Sequence, residues 1–277
     1  VGLRLAQHLK SRYRVHGTCR SIERAEVLRE AGVRPVFLDL DRDAALAVNL
    51  SARLVVHLVP PQATADKDLR TRRLMRVLNN VERMVYVSTS GVYGDCGGAV
   101  IDETRRVNPQ SDRAQRRVDA EAFLRTRARS GGFRLSILRV PGIYARDRLP
   151  EERLRRGTPT LRREDDVFTN HIHTDDLVRA IEAALLRGRP MRTYHASDDC
   201  PLLTSDYFEE VARACGIALP ERLPRDLMLQ QLTPMQRSFM LESRRLSNRR
   251  LRAELGLELR YRSVMEALRD PLSDPRK

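Results

Sequence analysis

A doubly wound α/β fold, with a parallel sheet between helices and a smaller, mainly helical C-terminal lobe, is the class this sequence predicts. Three observations carry it. Short β-rich runs alternate with amphipathic helical stretches through the first half of the chain. The stretches between successive runs are long enough for right-handed crossovers, which make neighbouring strands parallel. After residue 150 the alternation loosens, and residues 200–277 read as mainly helical.

Each element has its own signals. YRVHGTC (13–19) reads as a strand. SIERAEVLREAG is a helix that Ser21 can cap and Gly32 can end. RPVFLDL is a second strand, and DRDAALAVN (41–49) a short helix. RLVVHLV (53–59) is a third strand, stopped by Pro60 and Pro61, and DKDLRTRRLMRVLNN is the next helix. RMVYVSTS (83–90) and FRLSILRV (133–140) are strands on either side of a helix from Asp112 to about Arg129. VFTNHIH is expected as one short strand, before a helix capped by Thr174 or Asp175 and ended by Gly188. RTYHAS is the last strand. Helices are expected from TSDYFEEVARACG, TPMQRSFMLESRR (233–245) and SNRRLRAELG.

Ligands of doubly wound sheets gather at the carboxyl ends of the strands. The residues placed there are Arg20 and Ser21, Asp39 to Asp41, His57 to Pro61, Ser88 to Tyr93, and Arg139 to Tyr144.

The bulk properties narrow the class further. With 277 residues, 41% of them hydrophobic, the chain can fill one large core or a domain with an appendage. No apolar run approaches the ~20 residues of a membrane helix, so no membrane partner is expected. Cys19, Cys96, Cys200 and Cys215 lack metal-ligand spacing and read as free thiols in the cytoplasm. The net charge of +14 raises nucleic-acid binding. Against it, the arginines are spread along the whole chain and only 5% of residues are aromatic, leaving few stacking platforms. A solvated basic surface is the favoured reading of that charge.

STSGVYGD, LRVPGIYA, FTNHIHTDDLVRAI and YHASDD stand in the order and near the spacing of the NAD(P)-dependent epimerase/dehydratase family, the extended and atypical short-chain dehydrogenase/reductases. The sequence resembles that family over nearly its whole length. The resemblance implies a Rossmann domain over 1–150, joined by a strand and helix near 166–197, with substrate-lobe segments over 151–277. It also implies that Gly2 is the last glycine of a phosphate-binding turn whose strand and earlier glycines precede Val1. That strand would lie at the centre of the sheet, so the chain is expected to be a fragment of a longer protein.

The same resemblance assigns roles. Arg20 and Ser21 stand where the family chooses its cofactor, and an arginine beside a hydroxyl suits the 2′-phosphate, so NADP(H) is preferred over NAD(H). Asp39 and Leu40 match the position flanking the adenine. Leu58, Val59, Pro60, Ser88, Pro141 and Gly142 complete the expected cofactor contacts. Thr89 stands where the family's Ser or Thr orients a substrate carbonyl or hydroxyl. A simple strand-end turn satisfied by small hydroxyls is the plainer alternative.

The family's acid/base motif, Tyr-x-x-x-Lys, is absent: alignment puts Arg113 at the tyrosine position and Arg117 at the lysine position. Arg117 can offer charge toward the ribose, whereas an arginine is a poor general base. Tyr93, in the same loop as Thr89, and Tyr144, with Arg148 four residues on to lower its pKa, are the substitutes considered. His171 and His173 share a strand face with Asp175 and Asp176 following, but a third metal ligand at firm spacing is lacking, so no metal is expected. Arg244, Arg245, Arg249 and Arg250 suit a phosphorylated or nucleotide-linked small-molecule substrate, or a solvated helix face. A homodimer stays open as the assembly. Two rivals stand beside the oxidoreductase or epimerase-like reading: a catalytically silent, redox-responsive dinucleotide-binding module, and a basic nucleic-acid-binding protein.

Overall fold

A computed structural model of the chain describes residues 1–42, 49–230 and 240–270. Most of the helix expected over 41–49 and of the one expected over 233–245 lies outside the described residues. In chain order the principal elements are α1 (Gly2–Leu9), β1 (His16–Cys19), α2 (Ile22–Glu30), β2 (Arg34–Phe37), β3 (Leu54–His57), α3 (Leu69–Val77) and β4 (Arg83–Thr89). They continue with α4 (Asp112–Gly131), β5 (Arg134–Val140), β6 (His171–His173), α5 (Thr174–Arg187) and β7 (Arg192–His195). The last are α6 (Thr204–Cys215), α7 (Arg249–Leu255) and α8 (Val264–Arg269).

The described chain divides into two compact units. The first comprises Val1–Ser88, Gln115–Leu138 and Leu177–Thr193, and the second the segments between and after them. β1 and β2 pair in parallel, with His16 opposite Arg34 and Cys19 opposite Phe37. The main sheet has the order β7-β5-β4-β3, and its β3–β4 pair is parallel, with His57 opposite Tyr86. β1 and β2 form a two-stranded sheet of their own, separate from the four-stranded one.

One core cluster of the first unit shows why α4 lies where it does. Ala120, Leu124 and Ala128, four residues apart on one face of α4, pack with Met84, Tyr86, Leu135 and Ile137 of β4 and β5. Ser21 caps α2 by accepting the Arg24 N–H, and Asp68 caps α3 by accepting that of Thr71.

In the second unit Tyr207, Phe208, Val211 and Ala212 of α6 pack with Tyr261, Val264 and Leu268, and with Tyr144. The single strand expected over VFTNHIH is two: Phe168–Thr169 and β6. Asn170 breaks it. Its amide donates to the Arg244 carbonyl and accepts from the Leu246 N–H, so the side chain serves the segment 244–246 as a strand edge would. β6 then pairs in parallel with Gly142–Tyr144.

Leu124 is fully buried. Leu124→Ala is expected to cost about 2–5 kcal/mol, measured as a lower midpoint in urea denaturation.

Candidate cofactor and active site

The loops after β1, β2 and β3 carry a charged cluster. Arg20 directly follows β1, and its guanidinium donates to Asp41 Oδ2 at 3.2 Å. Arg70, on the first turn of α3, grips the same carboxylate twice, Nε to Oδ1 at 2.6 Å and Nη2 to Oδ2 at 2.7 Å. Its remaining arm donates to the Pro60 carbonyl at 2.9 Å. Arg73 donates to the Leu40 carbonyl, and Asp39 accepts the Asp41 N–H. The Arg70 hydrogen bonds, with the charges of Arg70, Arg20 and Arg73, hold the Asp41 carboxyl below its usual range. Leu58 and Val59 are half-buried beside the exposed Pro60, and a Cβ on Gly2 would touch Leu58 at 3.4 Å.

At the end of β4, Ser88 donates to the buried Glu121 at 2.7 Å. Arg125 meets the other Glu121 oxygen at 3.1 Å and also donates to Thr193. Arg117 donates to the Tyr86 hydroxyl at 3.0 Å and the Val87 carbonyl at 2.9 Å. Burial pushes the Tyr86 phenol up to about 12, against the Arg117 charge. His57 is buried with Nε2 2.7 Å from Thr71 Oγ1, which donates to Asp68 at 2.5 Å. With the Thr71 proton committed to Asp68, His57 Nε2 is the donor, and its Nδ1 has no hydrogen-bond partner among the described residues. Burial, then the Arg117 charge, lowers its pKa to about 3.

The second unit holds Thr89 and the tyrosines. Thr89 is half-buried, and its hydroxyl accepts the Gly91 N–H at 3.2 Å, starting the turn Ser90–Tyr93. Gly94 ends that turn at φ 63°, and a Cβ there would stand 2.3 Å from the Asn108 carbonyl oxygen. Tyr93 is buried, its hydroxyl 2.6 Å from His195 Nε2 and 2.7 Å from Arg139 Nη1. His195 Nδ1 faces the Ser247 carbonyl at 3.1 Å and therefore carries the ring proton. Burial lowers the His195 pKa to about 3, so the ring is neutral and Tyr93 donates to its Nε2. Tyr144 is buried and donates to the Ser263 carbonyl at 3.1 Å. Burial, with Asp198 and Asp176, raises its pKa rather than lowering it.

The exposed guanidinium of Arg20 suits a ribose phosphate, with Arg70, held by Asp41 and Pro60, and Arg73, on the Leu40 carbonyl, adding positive charge beside it. The sequence pattern of the NAD dependent epimerase/dehydratase family matches residues 1–196. The chain belongs to that family. A curated relative, a dTDP-glucose 4,6-dehydratase of Streptomyces niveus, is 25% identical over 142 residues. That match spans 48% of the chain and 42% of the relative, less than half its length. A functionally unknown conserved protein of Silicibacter pomeroyi is similar in structure, with a TM-score of 0.77, 27% identity, and coverage of 96% of this chain and 92% of that one. The fold also matches a dTDP-glucose 4,6-dehydratase of Streptomyces venezuelae, a double mutant with NAD bound, at TM-score 0.74, 19% identity and coverage of 96% and 88%. The two solved structures agree with the fold.

Against the family pattern, the helix that carries its tyrosine and lysine carries Arg113, exposed, and Arg117, half-buried. Gly142 is exposed, and a Cβ on it would press on the His171 ring at 2.8 Å, while Pro141 is half-buried. Of the four C-terminal arginines, Arg244 donates to the Gly94 carbonyl, Arg245 to that of Gly98, and Arg250 pairs with Glu103. Arg249 is exposed. His171 stacks on Tyr207, and His173 meets Tyr144 and Tyr261 edge-on. No group of three or more His, Cys, Asp or Glu among the described residues could hold a metal ion.

Sequence reasoning placed Asp41 and Arg139 at strand ends without their partners, and passed over Arg70, Glu121 and His195. Asp41, Ser88 and Tyr93, with which those three bond, lie 29 to 102 residues away, and no short motif announces the pairings.

Two outcomes test the buried polar groups. Tyr93→Phe removes the hydroxyl that His195 and Arg139 share, a loss of about 1–3 kcal/mol in denaturant unfolding. His57, His171 and His195 each have a folded pKa of about 3 against an ordinary 6.5. The unfolded chain binds their protons first. Stability is therefore full above about pH 6.5 and falls as pH drops toward 3, by up to about 1.4 kcal/mol per unit for each ring. Thermal melts across that range check it.

Proposed function

We propose that the chain is an NADP(H)-binding oxidoreductase or epimerase/dehydratase acting on a carbonyl or carbinol carbon of a nucleotide-linked small molecule. The observation that carries the cofactor choice is the arginine cluster after β1, β2 and β3. Arg20, Arg70 and Arg73 gather positive charge around the carboxylate of Asp41, which favours a 2′-phosphate over a bare ribose. Arg20, Ser21, Asp39 and Leu40 would hold the adenosine end, with Leu58, Val59 and Pro60 alongside. Gly2, Ser88 and Arg117 complete the proposed contacts within the first unit. When bound, the nicotinamide supplies a carbon that accepts or gives a hydride.

In this reading the first unit is the dinucleotide-binding part and the second supplies substrate contacts. Thr89 orients the substrate oxygen by hydrogen bonding, and its own lone pair on the Gly91 N–H fixes where the hydroxyl sits. Tyr93 and Tyr144 have their hydroxyls engaged with neighbours in the second unit. The dTDP-glucose named for two of the relatives supports a sugar nucleotide as substrate. The four cysteines are free thiols, which supports a cytoplasmic setting.

A second reading, a silent dinucleotide-binding module, is favoured by one observation. Arg117 replaces the family's lysine and is engaged with Tyr86 and Val87. Turnover separates the two.

Calorimetric titration is expected to show NADPH binding more tightly than NADH, with Arg20→Asp weakening NADPH at least tenfold. Binding of neither nucleotide sinks the proposal. In a screen of nucleotide-linked carbonyl substrates, Thr89→Ala is expected to lower turnover about 100-fold and leave the NADPH affinity within twofold. Turnover unchanged by that substitution removes Thr89 from the mechanism, and no turnover by the parent chain leaves the silent module.

A further inference from the structure

Asp41 is an anion already seated in the arginine cluster. Its two arginines hold it differently. Arg70 uses two arms on the carboxylate and the third on the Pro60 carbonyl, with its side chain only 19% exposed. Freeing it would break three hydrogen bonds. Arg20 offers one arm at 3.2 Å, and its side chain is 65% exposed. An ion pair that open and that long is weak. Of the two, Arg20 is the arginine that a ligand can take.

We propose that Asp41 is the residue that limits discrimination between the two nicotinamide dinucleotides, by competing with the 2′-phosphate of NADP(H) for Arg20. This rests on the dinucleotide reading above. A phosphate that draws Arg20 away leaves Asp41 on Arg70, close by and negative. The bound phosphate then feels a like charge, which opposes binding. A ribose that carries a 2′-hydroxyl instead meets a carboxylate able to accept it, the arrangement that suits NAD(H). Asp41 follows the loop residue Asp39 by two positions, and Asp39 is occupied with the Asp41 N–H and with Arg42. The two carboxylates therefore have separate tasks. Arg73 adds charge but donates to the Leu40 carbonyl, outside the competition.

The decisive variant is Asp41→Asn. It keeps the shape and one acceptor for Arg70, and removes the charge. In titrations of the full chain with NADPH and NADH, Asp41→Asn is expected to tighten NADPH about tenfold and shift the NADPH-to-NADH affinity ratio at least tenfold. The gain is expected to shrink as salt rises from about 50 to 500 mM. In an Arg20→Ala background, the same substitution is expected to tighten NADPH less than in the parent chain, because the contested group is gone and only the like-charge repulsion is relieved. 2′-AMP, as a competitor for the nucleotide site, is expected to follow NADPH, and 5′-AMP to follow NADH.

Weaker NADPH binding by Asp41→Asn, or an unchanged ratio in a folded variant, would falsify the inference and make Asp41 only an anchor for the arginines. That result leaves the dinucleotide reading standing. Binding of neither nucleotide by the parent chain overturns that reading and this inference together. Thermal melts of both variants separate a changed site from a chain that has not folded.

Discussion

The packing of α4 on β4 and β5 is the constraint on which the first unit depends. Ala120, Leu124 and Ala128 form its buried stripe. Arg117, Glu121 and Arg125 form a second stripe, again four residues apart but set one step round the helix. Burying the first stripe fixes where the second must point. Arg117 is carried to Tyr86 and Val87, Glu121 to Ser88, and Arg125 to Glu121 and Thr193. The last residues of β4 are thus held by the helix that its core residues hold in turn. Any shift of α4 that disturbed Leu124 would also unseat the hydrogen bonds at the strand end.

This arrangement separates what could be read in the sequence from what could not. Period and capping made the helices legible: Ser21 and Gly32 bracket α2 as the pattern implies, and Gly216 follows the end of α6. The strands were legible in kind and shorter in fact, because the ladders stop before the residues that turn toward the loops. Asn170 was illegible as a strand breaker, since its amide acts on residues 244 and 246, far along the chain. The arginine cluster was half legible. Arg20 and Asp39 sit at strand ends that a pattern identifies, whereas Arg70 enters from a helix face and meets Asp41 across 29 residues. Helical periodicity marks Arg70 as a surface position and says nothing of its partner.

The tyrosines show how hydrogen-bond direction limits chemistry. A phenol that serves as acid/base must give its proton to substrate or take one back. Tyr93 gives its proton to a neutral imidazole whose own proton goes to a backbone carbonyl, while Arg139 donates to the phenol oxygen. The network is closed and buried, which rigidifies the turn after Thr89. Gly94 adds to that rigidity, because the Asn108 carbonyl lies where a side chain would begin. A firmly held Thr89 is what a residue that orients substrate requires.

The arginine excess follows from the same physics. Of the 51 basic residues only three are lysine. Many arginines end on backbone carbonyls: Arg73 on Leu40, Arg83 on Leu186, Arg116 on Ala65 and Arg134 on Gly188 in the first unit. Arg146 on Leu268, Arg225 on Asp165, Arg244 on Gly94 and Arg245 on Gly98 do the same in the second. A loop carbonyl left without a partner is costly when water cannot reach it, and a long side chain with five donors in a fixed fork can reach several at once. Lysine has no such fork. A carbonyl contributes no formal charge, so binding one does not offset the charge of the arginine that reaches it. The +14 net charge thus includes guanidinium groups whose work is to satisfy the chain's own backbone.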